Sequence, residues 1–185
     1  MSLPREFIML HHSWSTDNKV TSSWAAIETF HTSYRHGGDI ITADEYLRLR
    51  MAGTPGLDRP WSDIGYHAGV EYESGRVVAH LGRSWLERAA ACPQGDMNTR
   101  ALHVCVVGNY DLGPPTLEVL DVLVKRVLRP WMGLFRIPAS RIVGHRDFNP
   151  SKSRKVSAGR SQNARSARSP HSRQLGWMTL SMPSE

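Results

Sequence analysis

The alternation of short apolar runs with amphipathic stretches through residues 1–150 predicts an α/β fold, a mixed central β-sheet flanked by helices in a single domain. Three observations carry this reading. Phe7 to His11 and Leu102 to Val107 are apolar runs of strand length without a helical period, as in buried strands. Apolar residues at three- and four-residue spacing mark helices between and after them. Tyr66 to Tyr72 and Arg76 to Leu81 flank Glu73-Ser74-Gly75, which reads as a hairpin.

In chain order, Phe7-Ile8-Met9-Leu10-His11 is the first strand. Trp24, Ile27, Phe30 and Tyr34 recur at helical spacing after Thr21-Ser22-Ser23, whose hydroxyls are N-cap candidates, so a helix is expected to reach Tyr34. Thr42-Ala43-Asp44-Glu45 has the form of a capping box and opens a helix to about Met51. The hairpin and the Leu102 to Val107 strand follow. Leu117, Leu120, Val124, Val127 and Trp131 mark the longest amphipathic helix, which Pro130 is expected to end or kink because proline lacks an N–H and crowds the preceding turn. Ile142-Val143 is a last short strand that delivers His145.

With 185 residues, 40% of them apolar, and six Trp, the chain is long enough for one well-buried core. Its two cysteines, Cys92 and Cys105, are too few for a disulfide framework or a four-sulfur zinc knot. The apolar runs fall far short of the roughly 20 residues of a membrane helix. Met1 to Glu6 has no apolar signal region, so cytoplasmic synthesis without a classical secretion signal is expected.

The net charge of +6 is unevenly placed. Ser151 to Glu185 holds seven Lys or Arg against one acid, whereas residues 1–150 hold sixteen of each sign. The body is neutral and the excess sits in a Ser/Arg-rich segment without apolar period, which reads as disordered. Such a tail attracts polyanions by charge alone and has no aromatic before Trp177 to stack on bases, so no specific nucleic-acid partner is expected. The domain is therefore assigned to 1–152 and the basic tail to 153–185.

His11 ends the first strand and His145 follows the last, and strand ends are where α/β sheets gather their sites. Two histidines brought together from opposite ends of one domain suggest a metal site. Neighbouring strand residues face opposite ways, so only one of His11 and His12 can turn inward. Spacing goes no further: a strand-end histidine is as readily a hydrogen-bonded structural residue as a ligand.

Four segments occur in order: Ile8-Met9-Leu10-His11-His12-Ser13, Trp61-Ser62-Asp63-Ile64-Gly65-Tyr66-His67, Val104-Cys105-Val106-Val107-Gly108-Asn109-Tyr110-Asp111 and Gly144-His145-Arg146-Asp147. Together, over about Phe7 to Lys152, they resemble the zinc-dependent N-acetylmuramoyl-L-alanine amidases of the phage-lysozyme and peptidoglycan-recognition-protein type. The resemblance implies a zinc ion held by two histidines, matched by His11 and His145, and by a Cys or Asp in a turn after the His-Arg-Asp block. It implies a catalytic pair matched by Tyr66 and Lys152, and cleavage of peptidoglycan at the amide joining the lactyl group of N-acetylmuramic acid to L-alanine. Zinc with three protein ligands keeps a position for water and lowers its pKa towards about 7. Lys152 would be a fixed positive charge near the developing oxyanion, and Tyr66 would donate a hydrogen bond or pass a proton to the leaving amine. From the residues alone, the preferred readings are a half-buried strand aromatic for Tyr66 and one more charge of the tail for Lys152.

One position departs from the family. By its spacing the third ligand, a cysteine, falls at Arg154, and a guanidinium has no lone pair to give. Beyond Asp147 there is no Cys or Asp; Cys92 is a substitute only if its loop reaches the site, and His171 lies in the basic tail. A segment frame-shifted from about Ser153 accounts for both the missing ligand and the odd tail. The expectation is a monomeric peptidoglycan hydrolase, a phage or prophage lysin acting on the cell wall with muropeptides as ligands. The alternative is a catalytically impaired peptidoglycan-binding module of the same fold.

Overall fold

In the computed structural model, which describes residues 5–13 and 22–148, the first apolar run forms β1 (Phe7–His12) inside a five-stranded sheet. In chain order follow α1 (Trp24–His31), β2 (Tyr34–His36), β3 (Asp39–Ile41), α2 (Ala43–Met51), β4 (Leu57–Asp58), the hairpin β5 (Ala68–Glu73) and β6 (Arg76–Leu81), α3 (Met97–Arg100) and β7 (Ala101–Val106). The chain then runs through α4 (Leu117–Val122), a π-helical stretch Leu123–Leu128 and α5 (Arg129–Phe135) to β8 (Ile142–Gly144) and α6 (His145–Phe148). The large sheet has the order β6-β5-β7-β1-β8. β1 lies parallel to β7 and β8, and β5 is parallel to β7 but antiparallel to β6, so the sheet is mixed as expected. β2, β3 and β4 form a separate antiparallel sheet.

Alternation along the strands divides the core. Ile8, Leu10, Ala68, Val70, Leu102, Val104 and Val106 turn to one face, where Val119, Leu123, Val127, Leu128 and Trp131 cover them. Full burial of such a side chain contributes about 1.5–3 kcal/mol, so this layer anchors the sheet. The intervening residues of β1 and β7 face the other way. There Met9 and Ala101 pack with Cys92 and Met97, Cys105 packs with Trp24, Ile27 and Ile64, and the buried His11 and His103 lie between the two clusters. Two imidazoles inside an otherwise apolar layer locate the site.

The expected caps are present. Ser23 Oγ accepts from Ala26 N at 3.0 Å and Thr42 Oγ1 from Glu45 N at 3.1 Å. Ser74 and Gly75 take positive φ of 51° and 84°, the two-residue turn whose twist suits a hairpin.

Two elements differ from expectation, and of the two outcomes expected at Pro130 one is excluded. Helix α1 stops at His31, and Tyr34 instead opens β2, its ring 4.5 Å from that of Tyr46 on α2. That partner lies outside the segment, so local period could not reveal it. Strand β5 begins at Ala68 rather than Tyr66. Pro130 does not end the long helix: Arg129 N donates to Val124 O, five residues back, and this wider turn leads into the proline within the first turn of α5. Among the described residues no helix is long and apolar enough to cross a membrane. Lys152, Arg154, His171 and the whole tail from Ser153 lie outside the described residues.

Candidate metal centre

Because β1 and β8 are neighbours, His11 near the end of one and His145 just past the other come side by side, with ring centroids 4.7 Å apart. The Gly-His-Arg-Asp block is a built turn. Asp147 Oδ2 accepts from Gly144 N at 2.8 Å, so a helix starts directly after β8 with His145 at its first position. Tyr66 enters from the loop before β5, its ring 5.2 Å from His11. Its backbone is held on both sides: Tyr66 O accepts from Arg83 N at 2.9 Å, and His67 N donates to His103 O at 2.9 Å. His31 stacks on Trp61 at 4.4 Å and accepts from Gly65 N at 3.1 Å, which fixes the residue before Tyr66.

Of the histidine pair, His11 is the inward member, only 5% exposed. His12 Nδ1 accepts from Tyr110 N at 3.2 Å, and its Nε2 lies 3.9 Å from Asp111, which also pairs with Arg146 at 3.6 Å. The structure thus brings His11, His145 and Tyr66 together, while Lys152 lies outside the described residues.

Beneath His11 runs a ladder of buried imidazoles. His11 Nε2 is 2.8 Å from His103 Nδ1, and His103 Nε2 is 2.9 Å from Met97 O. His103 N donates to His67 Nδ1 at 2.9 Å, and His67 Nε2 lies 3.2 Å from Glu87 O. Burial, opposed by the Met97 carbonyl and aided by Arg5, holds His103 at about 4. Burial, opposed by the Glu87 carbonyl and aided by Arg5, holds His67 at about 3. Both rings are neutral at pH 7. Burial, with Arg35 and Arg83 nearby, likewise lowers His31 to about 4. Burial first, then the adjacent Cys105, pushes the Tyr66 phenol well above its usual range, and burial pushes the Cys105 thiol up to about 12. Tyr66 is therefore a hydroxyl donor here rather than a base.

Sequence reasoning missed His103, His67, Cys105 and His31. The available signal was a histidine breaking the apolar run Leu102 to Val107 on the same strand face as Cys105.

Imidazole nitrogens suit zinc, and His11 with His145 supply two donors from one cluster. A third protein donor beside them is not found among the described residues. Cys92 does not fill that place: it packs with Met9, Met97 and Ala101, and its thiol donates to Gln94 Oε1 at 3.3 Å. One other group of potential donors exists among the described residues, Glu71, Glu73 and His80 on the β5–β6 hairpin. Its geometry is that of a helix anchor. His80 Nε2 lies 3.6 and 3.7 Å from the two carboxylates, and Glu71 Oε2 accepts from Trp24 N at 2.9 Å at the start of α1.

A sequence profile of the family described as N-acetylmuramoyl-L-alanine amidase matches residues 1–160. The chain belongs to this family. Among solved structures, this amidase-family chain is similar to an endolysin N-acetylmuramoyl-L-alanine amidase from Clostridium intestinale, with 20% identity over 79% of this chain and 72% of that one and a TM-score of 0.50. A cysteine-to-serine variant of Drosophila PGRP-LB aligns with 20% identity over 83% and 78% of the two chains and a TM-score of 0.52. A Tyr-to-Phe variant of the same Drosophila protein, solved in complex with tracheal cytotoxin, aligns with 19% identity over 80% and 73% and a TM-score of 0.50. At these identities the likeness is one of fold. No curated protein matches the sequence. Family membership places the domain in peptidoglycan hydrolysis or binding.

Proposed function

We propose that this chain is a peptidoglycan hydrolase that cleaves the amide between N-acetylmuramic acid and L-alanine, with His11 and His145 as metal ligands. The convergence of His11, His145 and Tyr66, with ring separations of 4.7 and 5.2 Å, carries the reading. Bound zinc would supply a Lewis acid for the scissile carbonyl and a water of lowered pKa. The chain's own residues do the rest. Tyr66, kept protonated by its surroundings, donates a hydrogen bond to the oxygen that gains charge or passes its proton to the leaving amine. The clamped backbone of Tyr66 and His67 holds that hydroxyl in place against the sheet. Lys152 is proposed as the fixed positive charge that completes the pair.

The endolysin relative and the family membership support a lysin acting on the cell wall, binding muropeptides as a monomer. The test is digestion of purified peptidoglycan with detection of newly freed L-alanine amino groups, beside zinc content per chain. About one zinc with activity lost in His145→Ala supports the hydrolase.

A second reading has its own observation. Arg154 stands where the family's cysteine is expected, and no third donor joins His11 and His145 among the described residues. That favours a module which binds peptidoglycan without cutting it. Muropeptide binding with no zinc taken up under replete conditions would select it.

A further inference from the structure

We propose that Glu71, Glu73 and His80 form a second metal site, one that takes a divalent transition-metal ion such as zinc and fastens the β5–β6 hairpin to α1. It depends on neither His11 nor His145 as a ligand. The two places are well apart. His11 pairs with Cys105, Cys105 with Gly69 and Gly69 with His80, so along this row of the sheet three strand spacings of about 4.8 Å, roughly 14 Å in all, separate His80 from His11. No single ion can reach both.

The donor atoms of the three side chains lie within 4.8 Å of one another. His80 Nε2 is buried and has no hydrogen-bond partner among the described residues. Burying such an atom unpaired is unfavourable, and a bound cation would satisfy it. Glu71 Oε2 and Glu73 Oε2 lie 3.6 and 3.7 Å from it, beyond hydrogen-bond reach. Those separations suit shared coordination instead. Zinc bonds of about 2.0–2.2 Å at a near-tetrahedral angle set two donors about 3.4 Å apart, so each carboxylate has only a few tenths of an ångström to close.

Two of the three donors are held from outside. His80 stacks on Trp24 with 12° between the ring planes, and Gly69 opposite His80 gives the indole its room. Glu71 is buried, and the hydrogen bond from Trp24 N to its Oε2 orients the carboxylate as outer hydrogen bonds orient metal ligands. Glu73 is 54% exposed and supplies the adjustable third arm. One imidazole with two carboxylates suits a borderline ion such as zinc, water completing its coordination, whereas calcium and magnesium favour oxygen-only sets. The ion would join the hairpin to the start of α1, where Trp24 lies 6.5 Å from Tyr66.

The test is zinc titration of the full chain. Long-range 1H–15N spectra of the wild type should show the His80 Nε2 signal shift as zinc is added, a readout at the site itself. In His11→Ala/His145→Ala, zinc should still bind and raise the midpoint of thermal unfolding, since an ion that binds only the folded chain stabilises it. Adding Glu73→Gln, or His80→Phe, which keeps a ring on Trp24 without a donor nitrogen, should weaken that binding at least roughly 10-fold in chelator competition. Circular dichroism identifies a variant that has not folded, and the wild-type spectrum decides occupancy at His80 without any variant. A His80 signal unmoved by zinc overturns the inference, and so does zinc affinity unchanged by both Glu73→Gln and His80→Phe. An equal shift with calcium or magnesium overturns the assignment to a transition metal.

Discussion

The six-membered ring of Trp24 packs directly onto Gly69, so closely that a β-carbon on Gly69 would overlap the indole. Gly69 is on β5 opposite His80, whose ring stacks on Trp24 at 5.8 Å and 12°. Trp24 in turn lies 6.5 Å from Tyr66, so this contact seats α1 beside the candidate centre. Gly69→Ala should destabilise the fold by about 1–3 kcal/mol through overpacking. Urea denaturation measures it, and an unchanged midpoint would show that the indole can slide away freely.

Three imidazoles should make stability depend on pH. His31, His67 and His103 have folded values of about 4, 3 and 4, whereas in the unfolded chain each would protonate near its ordinary value of 6.5. Below about pH 6.5 the unfolded state binds more protons, so stability is fully present above that pH and falls as pH drops towards 4. Urea midpoints measured between pH 7.5 and 5 should decrease on the acid side. A flat profile over that range would mean these rings are not held neutral.

Removing the Tyr66 hydroxyl should separate chemistry from architecture. Tyr66→Phe keeps the ring against His11 and should lower amide hydrolysis by on the order of 100-fold or more, with fold and zinc content unchanged. Wild-type turnover in this variant would return Tyr66 to a purely structural aromatic.

Asp147 should matter through His145. Its carboxylate holds Gly144 N at 2.8 Å, and Asp147→Ala should cost about 0.5–2 kcal/mol of stability, as for other lost N-terminal caps. It should also weaken zinc binding, since His145 then leaves a looser turn. Thermal unfolding and chelator competition measure the two effects separately.

Much of this was legible in the chain because it depends on short-range order. The runs at Phe7 and Leu102 read as strands because alternating side chains meet core on both faces of the sheet, and the Ser23 and Thr42 caps read directly from residue type. Tyr34 misled for the opposite reason. It obeys a local rule that a distant contact overrides.

The sequence by itself determined the fold class, the main strands and helices of the large sheet, and the motifs that carry the histidine pair, Tyr66 and His145, since residue type and motif order survive without coordinates. Only the tertiary structure decided that His11 rather than His12 faces inward, and that His103 and His67 stand beneath it. The physical reason is register. Parallel pairing of β1 with β7 sets His11 against Cys105 and Met9 against His103, and no local pattern encodes which residues of two strands so far apart in the chain will share a face and meet.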